Sequence, residues 1–253
     1  MTSISTPAII LRRVNHGDYD LIVTFFTLNN GKISMVAKFA KKSVKRFAGI
    51  LELFSVLQVV CKTGRNRGLP VLQEASLKHL FSGIRSDIKK TAYAGYWVEL
   101  TNKWMEEWAK QVRVYHLLQY ALKKLDQGLT QEKAISILFQ IKFMSLFGLS
   151  PNLSECGICG IPLEKIENSR IIFDIIKGGL VCKNCSAGSS RPILLSKGTI
   201  KQLFWIENND LKKAERIKFT PLALQESEKF LEAFVPYHLG KEPRSLKFLR
   251  QIR

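Results

Sequence analysis

Two Cys-x-x-Cys pairs constrain this chain more than any other feature of its sequence. They are Cys156-Gly157-Ile158-Cys159 and Cys182-Lys183-Asn184-Cys185, separated by the 22 residues Gly160 to Val181. Thiolates two residues apart can both reach one tetrahedral ion at Zn–S distances near 2.3 Å, and glycines such as Gly157 and Gly160 ease the tight turn around it. Between the pairs, Arg170 to Ile176 (RIIFDII), the turn Lys177-Gly178-Gly179 and Leu180-Val181 read as a hairpin that returns the second pair to the first, the layout of a zinc ribbon. Cys156, Cys159, Cys182 and Cys185 are thus the candidate ligands of one structural Zn²⁺, because four thiolates leave no open position for a catalytic water. The competing readings are buried core cysteines and a redox pair. Cys61 lies in an apolar run and reads as core, and His16, His79, His116 and His238 are scattered without ligand spacing.

A metal-ligating reading presumes a reducing compartment, and the sequence favours one. The amino-terminal MTSISTPAIILRRVN does not follow a charged segment with an apolar core and cleavage site, so the chain is expected in the cytoplasm, associated with the nucleoid. No run of about 18 apolar residues is present to cross a membrane. With 253 residues, 46% of them hydrophobic and 24% charged, the chain is long enough for two domains with real cores and too apolar for disorder.

Up to about residue 80 the pattern is that of strands. Ala8 to Val14, Leu21 to Leu28, Lys32 to Phe39, Ile50 to Lys62 and Leu69 to Ala75 are rich in β-branched and apolar residues. Asn29-Asn30-Gly31 supplies a tight turn and Gly64 to Gly68 (GRNRG) another. In Lys32 to Phe39 the period of two puts Ile33, Met35 and Ala37 on one face and Ser34, Val36 and Lys38 on the other. Five short strands without a crossover helix favour a five-stranded OB-fold barrel over a sandwich, which needs about seven. Beyond residue 80 the period becomes helical. Helices are expected over Ser86 to Met105, Lys110 to Leu125, Thr130 to Phe147, Ser196 to Glu207 and Thr220 to Leu239, with Thr130 and Thr220 as N-caps and Pro236 kinking or ending the last. The expected class is α+β: an OB-fold barrel over residues 1–80, then an all-α domain over 81–253 with a zinc module inserted at about 150–191.

Charge points to the partner. The chain carries 39 Lys and Arg against 21 Asp and Glu, a net +18. Residues 1–80 hold 12 of the cations and 4 of the acids, and no acid occurs from Leu21 to Leu51. Half of those cations, Lys32, Lys38, Lys41, Lys42, Lys45 and Arg46, fall in one stretch; with Arg12 they are the candidate DNA contacts, and Phe39 and Phe47 are near enough to stack on bases. A basic surface of this kind gains affinity for polyanions by releasing condensed counterions.

The opening PAIILRRVNHGDYDLIVTFFTLNNGKISMVAKFAKK, the GILELFSVLQVV run, the LFGLSP turn ahead of CGICG, the GGLVCKNC return and the closing RSLKFLRQI together resemble the bacterial recombination mediator family RecO. The resemblance covers nearly the whole chain. It implies an amino-terminal OB-fold, a helical domain and a zinc module. It also implies binding of single- and double-stranded DNA, annealing of complementary strands, and loading of RecA onto strands coated by single-stranded DNA-binding protein (SSB), together with RecR and the SSB C-terminal tail. The family's basic barrel face maps onto Lys38, Lys41, Lys42, Lys45 and Arg46. No enzymatic activity is expected. The chain lacks the HxE and PCxxC of zinc deaminases, a GxxxxGK[ST] phosphate loop, and an acidic cluster for two-metal hydrolysis; Asp18 and Asp20 are the only close acids of the barrel. An RNA-binding zinc-ribbon protein of transcription or translation is the alternative.

Overall fold

The computed structural model describes residues 2–64, 68–189 and 191–253. The expected GRNRG turn runs through residues 65–67, which lie outside that range together with Arg65 and Arg67. The chain packs as two compact units, Met1–Leu129 with Pro243–Arg253, and Thr130–Glu242.

In the first unit, β1 (Thr2–His16), β2 (Asp20–Thr27), β3 (Gly31–Ala37), β4 (Val56–Thr63) and β5 (Val71–His79) close into a barrel of order β1-β2-β3-β5-β4, the expected five-stranded fold. Closure depends on β1. Its first half pairs with β4 (Thr2↔Thr63 to Ile9↔Val56) and its second half with β2 (Ala8↔Thr27 to His16↔Asp20), with a bulge between Ile10 and Arg12 where the strand changes direction. The last gap is closed by parallel pairing of β3 with β5 at Val36↔Val71. Ile33, Met35 and Ala37 point inward, as their spacing predicts, and meet Ala8, Ile10, Phe25 and Leu57 in a dry core.

One expected strand begins late. Residues 50–55 are turns, and β4 starts at Val56. Phe54 takes a positive φ of 73°, its N–H donates to the Ile10 carbonyl, and the Ile10 N–H donates to the Ser55 carbonyl. Leu51 and Phe54 are buried all the same, so the apolar run that reads as strand fills the core from a loop.

Around the barrel the first unit adds α1 (Ser82–Arg85), α2 (Ile88–Trp104), α3 (Val112–Gln127) and, from the chain's end, α8 (Arg244–Ile252). Asp87 caps α2 by accepting from the Lys89 and Lys90 N–H groups at 2.8 and 3.1 Å. The basic terminal run Lys241 to Arg253 is thus largely a helix: Leu246 and Leu249 are buried, and the Glu99 carboxylate of α2 accepts from the N–H groups of Arg244 and Ser245. The α2–α3 connection docks on the β2–β3 turn, where the Trp108 N–H donates to the Lys32 carbonyl at 2.9 Å.

The second unit comprises α4 (Glu132–Leu146), the strands β6 (Asn152–Cys156), β7 (Arg170–Asp174), β8 (Gly179–Val181) and β9 (Pro192–Ser196), then α5 (Lys197–Asn208), α6 (Leu211–Ala214) and α7 (Pro221–Leu239). The strands form one sheet of order β6-β8-β7-β9, and Phe173 of β7 packs edge-on against Phe230 and Phe234 of α7. Thr220 caps α7 as expected. One local expectation fails. Helix α4 starts after Gln131, one residue beyond Thr130, with no side-chain cap; Glu132 in its first turn complements the helix dipole instead. Helix α7 ends at Leu239 as expected, with Pro236 in its last turn, where a proline removes a single backbone bond; Phe234 and Val235 stay buried and Gly240 closes the helix at φ 72°. Among the described residues no helix is long and apolar enough to cross a membrane.

Gly31 is the backbone position with least latitude. It has φ 70°, and a Cβ there would stand 2.2 Å from the Ala109 carbonyl oxygen. Gly31→Ala should therefore destabilise the first unit by about 3 kcal/mol, the sum of overpacking and left-handed strain, read as a lowered denaturant midpoint at unchanged m-value.

Candidate nucleic-acid interface and cysteine cluster

The antiparallel register Leu21↔Ala37 brings the β1–β2 turn and the segment leaving β3 to one end of the barrel. There Asp20 fixes the chain: its carboxylate accepts the Phe39 N–H at 2.7 Å. The Lys41 N–H donates to the Tyr19 carbonyl at 3.0 Å, and Lys41 Nζ donates to the Gly17 carbonyl at 2.7 Å. Held this way, Phe39 sits at φ 56°, a left-handed conformation unfavourable for a bulky residue, with its ring 63% exposed. The ring stacks on Tyr19 with centroids 6.0 Å apart and planes 20° from parallel, and Lys42 Nζ lies 4.2 Å above the Tyr19 ring. An exposed aromatic pair thus has a cation over one of its rings.

Farther along, the Ser43 hydroxyl accepts the N–H groups of Arg46 and Phe47, and the Arg46 guanidinium donates to the Lys38 carbonyl at 2.6 Å. Lys38, Lys41, Lys42, Lys45 and Arg46 are all exposed. Arg12 is exposed on the outer face of β1, in register with Thr24 of β2. Two expected members are elsewhere. Phe47 is 2% exposed within the barrel core, with Arg46 over its ring at 4.4 Å, so it has no face for a base. Lys32 begins β3, about 20 Å of strand from Lys38. Its Nζ donates to the Asn102 carbonyl at 2.8 Å; burial lowers its pKa against the opposing pull of Glu107, which marks a lysine used to fasten the α2–α3 connection. Tyr19 is the member that sequence reasoning overlooked. It sits between two aspartates in a polar turn, and only the strand register places it beside Phe39.

In the second unit, the first cysteine pair follows β6 and the second follows β8. These two strands run parallel (Asn152↔Gly179, Cys156↔Leu180), so both pairs emerge at the same end. The expected hairpin of β7 and β8 exists, yet the β6–β8 pairing is what joins the pairs. The Gly157 N–H donates to the Leu180 carbonyl and the Gly160 N–H to the Cys156 carbonyl, both at 2.9 Å, with Gly160 at φ 69°. The four Sγ atoms lie within 4.8 Å of one another, and Cys159 and Cys182 are 3.7 Å apart. Tetrahedral Zn–S bonds of 2.3 Å require sulfur separations of about 3.8 Å, so the geometry fits such an ion. Burial opposes ionisation of Cys156, but the N–H groups of Cys159, Cys182 and Ile158 outweigh it and bring the thiol down to about 6, while contact with Cys182 first, then burial and the other thiols, pushes Cys185 up to about 12. Four thiolates at this spacing need a cation between them.

The family model described as Recombination protein O N terminal matches residues 1–81, and that described as Recombination protein O C terminal matches residues 85–247. This chain belongs to the RecO family. Proteins called DNA repair protein RecO from Desulfatibacillum aliphaticivorans (44% identical, covering all of this chain and 98% of the relative), Desulfosudis oleivorans (43%, all and 99%) and Syntrophus aciditrophicus (33%, 98% and 95%) are among its relatives. Within this RecO-family chain the cysteine sheet is fastened to α7 by Glu226. That carboxylate, 7% exposed, accepts from Arg170 at 3.0 Å, from the Ser196 N–H at 2.9 Å and from the Thr199 hydroxyl.

Burial raises the Glu226 pKa, but these donors together outweigh it and hold the group below the usual carboxylate range. A carboxylate whose folded pKa is depressed contributes stability above its unfolded pKa and loses it as pH falls through the folded one. Thermal stability should therefore drop as pH falls below about 4.3, more steeply in the wild-type protein than in Glu226→Gln, whose melting temperature should be lower at pH 7 and should converge toward the wild-type value at pH 3.

Proposed function

We propose that this chain is a recombination mediator that binds single- and double-stranded DNA, anneals complementary strands, and helps load RecA onto SSB-coated strands together with RecR and the SSB C-terminal tail. The observation that carries the reading is the cluster of exposed cations Lys38, Lys41, Lys42, Lys45 and Arg46 beside the stacked Tyr19–Phe39 pair at one end of an OB-fold barrel, where the Asp20 carboxylate is engaged by the Phe39 N–H. Cations along a strand path neutralise phosphates, which gives affinity without sequence preference. An exposed ring offers a face to an unpaired base, worth about 1–3 kcal/mol per base. Duplex DNA keeps its bases stacked inside, so it engages the cations alone. Arg12 extends the same surface along β1. Annealing in this account is stoichiometric and independent of ATP: the protein lowers repulsion between two polyanions.

The cysteine cluster has a structural part in this account, with Cys156, Cys159, Cys182 and Cys185 holding one Zn²⁺. The ion supplies local folding energy, and four thiolates leave it no open coordination position. One zinc per chain is expected by metal analysis, and Cys156→Ser or Cys182→Ser should release it and expose residues 150–191 to protease. Reduced, freshly prepared protein without zinc would reject this assignment.

Two variants separate charge from stacking. Changing Lys41, Lys42, Lys45 and Arg46 together to alanine should weaken binding to single strands of any sequence and flatten the slope of log affinity against log salt by up to about 3 units, at about 0.7 per phosphate contact. Phe39→Ala should leave that slope intact, cost single strands about 10-fold in affinity, and leave duplex affinity unchanged. A fully folded quadruple variant that keeps affinity and slope would place the binding site away from this rim.

A further inference from the structure

The second unit carries a surface that the barrel account does not use. Helix α5 buries Ile200, Leu203 and Ile206 and turns Lys201, Gln202 and Trp205 the other way, at the i, i+1 and i+4 spacing of one helix face. Opposite them stand Lys213 of α6 and, just beyond it, Arg216 and Ile217. These six residues line an open cleft of about 610 Å³, and none of them is acidic. The Trp205 indole is 50% exposed, although Trp97 shows that this chain buries a tryptophan fully where packing is the purpose. Gln202 Nε2 donates to the Lys218 carbonyl at 3.1 Å, which settles the orientation of its amide. Its Oε1, buried in the cleft wall, has no hydrogen-bond partner.

Of the three carboxylates between Lys197 and Lys218, Asp210 caps α6 through the Lys213 N–H, and both Asp210 and Glu207 attract Lys142, whose Nζ donates to the Glu207 carbonyl. The third, Glu215, precedes Arg216 and does not line the cleft. The cleft therefore presents a flat aromatic face and three cations.

We propose that this α5–α6 cleft is a second site for single-stranded nucleic acid, in which Trp205 stacks on a base and Lys201, Lys213 and Arg216 bind the flanking phosphates. The proposal rests on the annealing reading above and adds to it: a chain that brings two strands together without ATP needs somewhere to hold the second, and the basic rim of the barrel tracks one. Charge complementarity decides for a polyanion. The half-exposed indole favours nucleotides over the carboxylates of an acidic peptide, because a base offers a flat face to stack on it and a carboxylate side chain does not.

The test uses the full chain and oligo(dT), which cannot pair with itself. Protein bound to immobilised oligo(dT) should retain a second, labelled oligo(dT), and the variant Lys201→Ala, Trp205→Ala, Lys213→Ala, Arg216→Ala should hold the immobilised strand within about 2-fold of wild type while retaining at least 5-fold less of the second. Oligo(dT) should also quench tryptophan fluorescence, with the quenching largely lost in Trp205→Phe, a substitution that preserves packing and so reads the cleft even if the fourfold variant does not fold. Equal capture of the second strand by a folded fourfold variant overturns the proposal. So does quenching of Trp205 by a Glu- and Asp-rich peptide but not by oligo(dT), which would assign the cleft to an acidic partner. If a folded fourfold variant fails to hold the immobilised strand while oligo(dT) still quenches the wild-type protein through Trp205, the barrel reading falls and the cleft stands.

Discussion

Strand β1 is the member on which the rest of the first unit depends, because it pairs along both edges and so converts five strands into a closed barrel. Closure sets the register of β2 against β3, and that register carries the β1–β2 turn to the segment leaving β3. Asp20 then makes the decisive local bond by accepting the Phe39 N–H. Phe39 can take its left-handed conformation, and Tyr19 can stack on it, because the barrel has already placed the two turns side by side. The cationic rim is assembled by the same bonds, since Lys41 reaches back to Gly17 and Arg46 to Lys38.

Magnitudes separate the two kinds of contact on this surface. A left-handed aromatic costs of order 1–3 kcal/mol, and leaving a large ring in water forgoes about 1.5 kcal/mol or more of burial. Stacking on a base returns about 1–3 kcal/mol, comparable to that cost, so the ring is neutral for folding at best and useful when a strand is present. The lysines behave in the opposite way. Exposed charges contribute within about half a kcal/mol each to stability, yet each phosphate they meet adds a salt-dependent increment to affinity. On the proposed reading, the strain bears on the discrimination of unpaired from paired strands, and the charge on affinity for either.

Much of this was legible from residue patterns. The period-two alternation of β3 identified its inward face, and the paired cysteines identified the four sulfurs that the fold gathers within 4.8 Å of one another, because both signals are local. What escaped was set by pairing between distant segments. The strand β6 (NLSEC) has no alternation to announce it, and its parallel partner lies across a hairpin, so the join between the cysteine pairs could not be inferred from either stretch alone. Tyr19 sits in a turn between aspartates, and nothing in that turn points to Phe39. Phe47, placed among charges, reads as exposed, but the Ser43 hydroxyl turns the chain and buries it. Helix α8 hides its apolar pair Leu246 and Leu249 among basic residues, in a stretch where no helix was expected.

The central claim is that single-stranded DNA lies across the end of the barrel where the two turns meet. Hydrogen exchange of the full chain with and without oligo(dT) tests it most directly, since it reports every amide and requires no substitution. The account predicts slowed exchange on binding at residues 17–20 and 38–46, with the barrel strands themselves little changed. Saturating binding that leaves both segments exchanging at their free rates would contradict it.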